Sequence, residues 1–222
     1  MEQSFWLNRW ENRQIGFHQQ QINEYLLRHL GQYDLPEQGR VFVPLCGKTG
    51  DMVWLADKGY DVTGVEYSQI AVEEFFQEHN LAYEFTEKGP FKVYRSDKIT
   101  VLQGNFFDLN KDILGPVDFV FDRASLVALP DDMRSRYAEH MYRLAEQADM
   151  LLVTMEYDQA QMQGPPFAVT ADEVQQHFSS LYNVSELETQ DLLSTSPQFK
   201  ERGLDSLLEK AYKLSVIDPM TE

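Results

Sequence analysis

Apolar residues in the first 80 positions recur alternately at helix and strand spacing. Over residues 22–30 they lie three and four positions apart, which is the spacing of one helix face. The run 40–45 is short, apolar and rich in β-branched residues, as in a buried strand. The same reasoning predicts a helix over 51–58, a strand over 61–66 and a helix over 69–79.

The rest of the chain continues this alternation. Further strands are predicted over 100–103, 117–121 and 150–155, with a helix over 132–147 before the last of them. Residues 81–99 predict a small hairpin around a Gly-Pro turn, and strands over 182–187 and 211–217 close the chain. Alternating strands and helices predict an α/β fold, with a mostly parallel sheet covered on both faces. The last two strands suggest an antiparallel edge.

Composition and charge narrow the class of protein. The 222 residues contain no repeat and no linker-like segment, so we expect a single domain over 1–222. With 36 acidic and 19 basic residues the net charge is −17, which disfavours binding to nucleic acid or to an anionic membrane. Cys46 is the only cysteine, which excludes an intrachain disulfide and a thiolate zinc site. We expect a cytoplasmic protein without a metal, and a monomer because no coiled-coil seam is present.

Four predicted strand ends carry polar or glycine-rich segments, and the first is the turn at 44–51. A turn with glycines between a first strand and a helix is where a nucleotide-like ligand meets backbone amides. Gly47 and Gly50 alone do not make a G-x-G-x-x-G motif, and Phe42 stands where a phosphate-binding loop needs glycine. The alternative is an ordinary tight turn.

The second strand ends at Glu66, 21 residues after Leu45. A carboxylate at this separation is typical of a group that accepts hydrogen bonds from both hydroxyls of a ribose. The alternative is a favourable negative charge at a helix N-terminus, with Ser68 as the capping residue.

The third and fourth strand ends add an amide, an aromatic ring and a guanidinium. Asn105 and Phe106 suit the edge and the face of an adenine, although either Phe of this segment can instead pack in the core. Arg123 can bind a carboxylate through two parallel hydrogen bonds. Its alternative is a local ion pair with Asp122 or a solvated loop.

Two aromatic segments complete the candidates. Trp6, Trp10 and Phe17 lie in a polar N-terminal arm, where large rings are costly to leave in water, so the arm covers either a ligand or bare core. His18 beside them is more typical of a structural histidine. The Gly-Pro-Pro-Phe string at 164–167 is either a substrate wall or a rigid turn. No arrangement of nucleophile and base or of metal ligands stands out, which fits group transfer from a bound cofactor.

Taken together, these strings resemble the thiopurine S-methyltransferase family, particularly its bacterial members. The resemblance is carried by Arg-Val-Phe-Val-Pro-Leu-Cys-Gly-Lys at 40–48, Gly-Val-Glu-Tyr-Ser around Glu66, Phe-Asp-Arg-Ala-Ser-Leu-Val-Ala at 121–128 and the string at 164–167. It runs from about residue 5 to 217. It implies a three-layer α/β/α Rossmann-like class I methyltransferase, with a mostly parallel seven-stranded sheet and an antiparallel edge strand.

The resemblance also implies a cofactor and an acceptor. The cofactor is S-adenosylmethionine, which leaves as S-adenosylhomocysteine, and the arm over 1–20 covers its site. The residues implied to hold it are Trp6, Trp10, Leu45, Glu66, Asn105, Phe106 and Arg123. The acceptor is a thiopurine or another aromatic or heterocyclic thiol, and the residues implied to bind it are Phe17, Arg123, Pro166, Phe167 and Arg202. Arg123 and Arg202 are the catalytic candidates, by stabilising the thiolate or taking a proton through water.

Three other functions stay open at this point. Bacterial members of the family are associated with methylation of selenium and tellurium species, a detoxification. A dinucleotide oxidoreductase is favoured by the sheet and by Glu66, and is opposed by the missing third glycine. A non-catalytic ligand-binding module would keep the pocket without turnover.

Overall fold

A single mixed sheet lies between two layers of helices in the computed structural model, which describes residues 3–145 and 148–217. The strands in these ranges are β1 (Arg40–Val43), β2 (Asp61–Glu66), β3 (Glu84–Lys88), β4 (Phe91–Ser96), β5 (Ile99–Gln103), β6 (Phe119–Arg123), β7 (Asp149–Glu156), β8 (Tyr182–Asp191) and β9 (Leu208–Val216). The helices are α1 (Gln3–Glu11), α2 (Glu24–His29), α3 (Asp51–Asp57), α4 (Gln69–Glu78), α5 (Lys111–Leu114), α6 (Asp131–Leu144), α7 (Ala171–Phe178) and α8 (Pro197–Glu201).

The strand order is β3-β4-β5-β2-β1-β6-β7-β9-β8. Strands β5, β2, β1, β6 and β7 pair in parallel, and β9 runs antiparallel between β7 and β8. The α/β fold with an antiparallel element at its end is confirmed. The sheet has nine strands rather than seven, because the hairpin predicted over 81–99 does not stand apart from it. A two-residue connection between β4 and β5 places β4 antiparallel to β5 in continuous register.

The two faces of the sheet bury separate apolar clusters. One face packs Val120, Met150 and Leu152 under α6 and α7, with Tyr137 and Phe178. The opposite face packs another set of strand residues under α2, α3 and α4. This set includes Val41, Val62, Val101, Phe121, Leu151 and Val153, and the helices contribute Leu26, Met52, Leu55, Val72 and Phe75. Burial on both faces explains why the central strands are continuous apolar runs.

Side-chain caps start the helices where the chain leaves a strand or loop. The Asn23 side chain accepts hydrogen bonds from the backbone at the start of α2, Ser68 accepts one from Ala71 in α4, and Thr170 accepts one from Glu173 in α7. Such caps satisfy N–H groups that have no partner inside the helix.

Some elements differ from the sequence expectation. Helices α1 and α7 were not predicted, although Thr170 and the i,i+4 pair Val174 and Phe178 are the signature of α7. Helix α6 ends at Leu144, and the predicted end at 147 lies outside the described residues. Within the part of the chain that the structure describes, no helix is both long and apolar enough to cross a membrane.

The connections reverse direction at β1, which has β2 on one side and β6 on the other. Loops leaving such neighbouring parallel strands diverge to opposite faces, which opens a crevice outside their carboxyl ends. The crevice therefore lies where the turn after β1, the end of β2 and the end of β6 meet.

Adjacent leucines of α2 test the packing of this layer. Leu26 is fully buried, whereas its neighbour Leu27 is 51% exposed. Leu26→Ala leaves a cavity against the sheet and is expected to lower the free energy of unfolding by about 2–5 kcal/mol. Leu27→Ala removes the same atoms from the surface and is expected to change it by less than about 0.5 kcal/mol. Urea unfolding midpoints measure both, and equal destabilisation would contradict this packing.

Candidate active site

One cavity of about 730 Å³ opens at the carboxyl ends of the parallel strands, beneath the N-terminal arm. Residues from all four strand ends singled out in the sequence line it, namely Leu45, Glu66, Asn105 and Arg123. Trp6, Trp10, Phe17, Phe106, Pro166 and Arg202 line it too. Its volume is in the range of pockets that bind small molecules and cofactors.

The turn after β1 is held in shape by Glu66. The Glu66 Oε2 atom accepts a hydrogen bond of 2.9 Å from the backbone N–H of Gly47, and Oε1 accepts one of 2.7 Å from that of Ser68. Leu45 and Gly47 both have positive φ angles, of 43° and 53°. Burial raises the pKa of the Glu66 carboxyl, and these backbone donors lower it. The carboxylate therefore fixes the turn and also faces the cavity.

Gly47 is where the arm meets the turn. A Cβ atom added at Gly47 would lie 3.3 Å from the Trp10 ring, so the absence of a side chain lets the indole pack directly on the backbone. Trp10 itself is only 3% exposed.

Asn105 and Phe106 lie after β5 at the next edge of the cavity. Asn105 Oδ1 accepts a hydrogen bond of 3.1 Å from the backbone of Phe107, and its Nδ2 donates one of 3.3 Å to Asp108. The Phe106 ring is buried and lies 4.9 Å from the ring of Tyr137, centroid to centroid. Phe106 thus packs in the core and still contributes to the cavity wall.

Arg123 points from the end of β6 toward the arm. Its Nη1 donates a hydrogen bond of 2.8 Å to the backbone carbonyl of Phe17. Asp122 does not pair with it, because consecutive strand residues face opposite sides of the sheet. The Asp122 carboxylate instead accepts a hydrogen bond of 2.7 Å from Tyr137, and burial raises its pKa to about 6.

The arm closes the cavity with aromatic rings. Phe17 lies edge-on to Trp6 and to Trp10, with centroid distances of 5.6 and 5.5 Å. An ion pair joins Arg13 to Glu74 of α4, outside the rings. The arm buries its own rings and also forms the roof of the cavity, and that it covers a ligand stays a prediction.

The remaining predicted substrate residues are placed differently from one another. Pro166 lines the cavity, and so does Arg202 at the end of α8, where its guanidinium lies 5.7 Å from the centroid of the Phe199 ring. Phe167, expected on the wall, does not line the cavity. Its ring folds back over Gly164 and lies within 5.9 Å of the Arg134 guanidinium, and its N–H donates to the Val127 carbonyl.

Titratable residues outside the predicted site residues also line the cavity, and they include His18, Lys48, Asp51 and Glu209. Asp51 accepts hydrogen bonds from the backbone of Asn23 at 2.8 Å and from Thr49 Oγ1 at 2.7 Å. Glu209 is 6% exposed and stands at the start of β9. The signal in the sequence is weak, because Glu209 directly follows Leu207 and Leu208 but stands in a strand that also carries Lys210 and Lys213.

Lys48, in the turn after β1, is held by two of the three acidic residues of α4. Its Nζ lies 2.9 Å from a Glu74 carboxylate oxygen and 2.6 Å from one of Glu78. The charges of Lys48 and Arg123 both act on His18. Burial lowers the pKa of the His18 imidazole, and the charge of Lys48 lowers it further.

One group of residues outside the cavity has the chemistry of metal ligands. Asp131, Glu173 and His177 place one ligand atom each within 4.8 Å of one another where α6 and α7 meet. Arg134 already holds Glu173 at 2.5 Å, and His177 lies 3.3 Å from the same oxygen. These contacts describe an ion-pair network between two helices.

Comparisons with known proteins identify the family of the chain. Residues 1–216 match the model of the family described as thiopurine S-methyltransferase. A thiopurine S-methyltransferase of Pseudomonas fluorescens (strain Pf0-1) is 45% identical over 214 residues, covering 96% of this chain and 99% of that protein. One from Bordetella petrii is 46% identical over 215 residues, covering 96% and 98%.

Solved structures resemble the chain in fold. Magnesium protoporphyrin IX methyltransferase from Synechocystis PCC 6803, solved with bound SAH, superposes with a TM-score of 0.63 at 16% identity, covering 96% of this chain and 100% of that one. An arsenic(III) S-adenosylmethionine methyltransferase from Chlamydomonas reinhardtii gives 0.59 at 18% identity, covering 84% and 66%. The fold is that of the S-adenosylmethionine-dependent methyltransferases, and the chain belongs to the thiopurine S-methyltransferase family.

Proposed function

We propose that the protein is an S-adenosylmethionine-dependent methyltransferase that transfers a methyl group to the sulfur of thiopurines and other aromatic or heterocyclic thiols. The observation that carries the proposal is the cavity itself, in which four strand ends and an aromatic arm of a thiopurine S-methyltransferase family member converge. This reaction needs neither a nucleophile from the protein nor a metal, because the acceptor sulfur attacks a methyl group that the sulfonium of the cofactor activates.

The residues fit the adenosine part of this cofactor. Each Glu66 oxygen accepts one backbone hydrogen bond and keeps a further lone pair, so the carboxylate can also accept from two ribose hydroxyls. Asn105 offers an amide for the adenine edge, and Phe106 an apolar surface for its ring. The strained turn at Leu45 brings backbone groups against the same space.

The methionine part would lie beneath the arm. Arg123 binds its carboxylate, since a guanidinium fork matches a carboxylate geometrically. Trp6 and Trp10 enclose the sulfonium region from the arm, and their rings exclude water from it.

The acceptor would occupy the end of the cavity between Phe17, Pro166 and Arg202. Phe17 and Pro166 hold the ring in line with the methyl group, because transfer needs the reacting atoms about 3 Å apart. Arg123 and Arg202 stabilise negative charge on the attacking sulfur. Phe167 lies outside the cavity and positions Val127, which does line it, through the hydrogen bond from its backbone N–H to the Val127 carbonyl.

The biological setting belongs to the same proposal. The protein would act as a monomer in the cytoplasm on a small thiol, without nucleic acid or membrane as partner. The net charge of −17 supports the absence of nucleic-acid and membrane partners, because it repels phosphate and anionic lipid. Family membership removes the support for the oxidoreductase alternative.

The purified protein is expected to transfer labelled methyl from S-adenosylmethionine to 6-mercaptopurine. Label in the thioether product, separated by chromatography, is the measurement, and a reaction without acceptor is the control. Cofactor binding without transfer to 6-mercaptopurine or to any aryl thiol would favour the non-catalytic alternative.

Glu66→Gln is expected to weaken S-adenosylmethionine binding by about 10- to 100-fold, since it removes charge-assisted hydrogen bonds and turns an amide N–H toward backbone donors. Isothermal calorimetry measures the affinity. Glu73→Gln, on the exposed side of α4, is the matched control and is expected to bind as the wild type does. Unchanged affinity in Glu66→Gln would remove the ribose role.

Arg123→Ala is expected to lower kcat/KM for 6-mercaptopurine by about 10- to 150-fold through the loss of charge-assisted hydrogen bonds. Arg123→Lys keeps the charge without the planar fork and should recover only part of the activity. Arg95→Ala, an exposed arginine of β4, serves as the control for loss of a positive charge. Full turnover in Arg123→Ala would exclude the assigned role.

A further inference from the structure

Arg123 and Glu209 place opposite charges on two sides of the acceptor end of the cavity. Arg123 ends β6 and Glu209 begins β9, with β7 between them, so their backbones stand roughly 10 Å apart. Both side chains line the cavity on the same face of the sheet. They form no direct ion pair in the described part of the chain, although Glu209 is the charged group that most raises the pKa of Arg123. The space between them suits a group that offers an acceptor to one and a donor to the other.

Glu209 reaches this edge of the sheet because β9 is antiparallel. Met155, near the carboxyl end of β7, pairs with Glu209 near the start of β9. The Tyr25 hydroxyl donates a hydrogen bond of 3.3 Å to the backbone carbonyl oxygen of Glu209, and it also interacts with the Glu209 carboxylate and lowers its pKa. A carboxylate has about four lone-pair positions, so one hydroxyl leaves it able to accept further hydrogen bonds. Because Glu209 lines the cavity, a ligand there can supply such a donor.

The other two carboxylates of the cavity wall are already committed. Asp51 accepts from the backbone of Asn23 and from the hydroxyl of Thr49. Glu66 accepts from two backbone N–H groups with its two oxygens. Protonating either would weaken hydrogen bonds from the backbone, whereas the hydrogen bond that lowers the pKa of the Glu209 carboxyl comes from the Tyr25 side chain.

The basic side chains are poor proton acceptors here. The Arg123 guanidinium carries its proton at any working pH and has no site for another. A proton on His18 would add a third cation beside Lys48 and Arg123, and both of these lower its pKa.

We propose that Glu209 accepts the proton that the acceptor loses on methylation, and that the acceptor is a heterocycle in its thione form, with a ring N–H next to a C=S group. This inference rests on the proposed function. The ring N–H bond breaks and its proton goes to the Glu209 carboxylate. The freed electron pair forms a C=N bond, the π pair of the C=S bond becomes the bond from sulfur to methyl, and the pair of the broken methyl–sulfonium bond stays with the departing sulfur. Charge balances, because one carboxylate and one sulfonium become neutral.

The charge pair also selects the class of acceptor. A neutral thione presents its N–H to Glu209 and its sulfur to Arg123, so each charge meets a complementary group. A selenium or tellurium oxyanion presents only acceptor oxygens and would be repelled by Glu209. The cavity therefore favours heterocyclic thiones over oxyanions.

The surroundings adjust the basicity of Glu209. Burial raises the pKa of its carboxyl, which moves it toward the range useful for proton transfer near neutral pH. Arg123 lowers this pKa from β6. From α2, Tyr25 and Arg28 lower it and Glu24 raises it. Because the carboxylate must be ionised to take the proton, turnover of a thione falls as the pH drops through this pKa.

Glu209→Gln tests the inference with two acceptors, 6-mercaptopurine and thiophenol. The first carries a ring N–H, and the second has none and ionises by itself at mildly alkaline pH. We expect kcat for 6-mercaptopurine to fall about 100-fold or more, because the base is lost. Turnover of thiophenol should stay within about threefold of wild type, because this acceptor needs no base. The acidic limb of the pH profile for 6-mercaptopurine should no longer follow the Glu209 carboxyl, and the remaining rate should instead rise with pH as the acceptor ionises in solution.

Two further variants complete the design. Glu84→Gln, exposed on β3, is the control and should behave as the wild type with both acceptors. Glu209→Asp keeps the carboxylate but retracts it, and should lose activity with 6-mercaptopurine selectively. If Glu209→Gln does not fold, Glu209→Asp is compared with the wild type in its place.

Three outcomes would overturn the inference. Equal losses with both acceptors would show that Glu209 only positions Arg123, and no loss with either would show that it takes no proton. In both cases the wild type still methylates thiols and the proposed function stands. Failure of the wild type with both acceptors would instead overturn the proposed function, and this inference with it.

Discussion

The Glu66 carboxylate is the contact on which the rest of the site depends. Its two oxygens hold the backbone of the turn after β1 and the backbone that starts α4, so one buried group sets the spacing of two strand ends. With the turn fixed, Gly47 presents bare backbone to Trp10, and the arm can settle over the cavity. A charged group is suited to this task because hydrogen bonds to an ionised acceptor are stronger than those between neutral groups. The same group is the one that we propose to bind the ribose, so one side chain would carry both the scaffold and the binding function.

Charge inside the cavity differs from charge on the surface. The chain as a whole is strongly acidic, yet Arg123 lies beside Asp51 and Glu209, which together compensate its buried positive charge. Burying a guanidinium without a nearby anion would be costly. Arg123 and Glu209 thus place donors and an acceptor in one cavity. This pair of charges is the basis of our proposal that the acceptor is a neutral heterocycle with both a donor and an acceptor.

The N-terminal arm links fold and chemistry. Its rings pack on one another and on the turn at Gly47, and its backbone carbonyl at Phe17 accepts the hydrogen bond from Arg123. The guanidinium is thus positioned by the roof of the site as well as by the end of β6. The contact between Arg13 and Glu74 ties the arm to α4. Glu78 of the same helix holds Lys48. The position of the arm therefore depends on packing and on charge together.

Local patterns in the sequence determined the alternation of the central strands and helices and the four strand ends that line the cavity, whereas Pro166 and Arg202 were implied by the family resemblance. Periodicity and turn chemistry act within a few residues, so they can be read without tertiary information. Other features follow from contacts between distant segments. The attachment of the β3–β4 hairpin to the main sheet, the outward turn of Phe167, the separation of Asp122 from Arg123 and the entry of Glu209 into the cavity all depend on which strands pair and in which direction. Glu209 shows this most clearly. Only the antiparallel pairing of β9 brings the beginning of that strand to the edge where the parallel strands end.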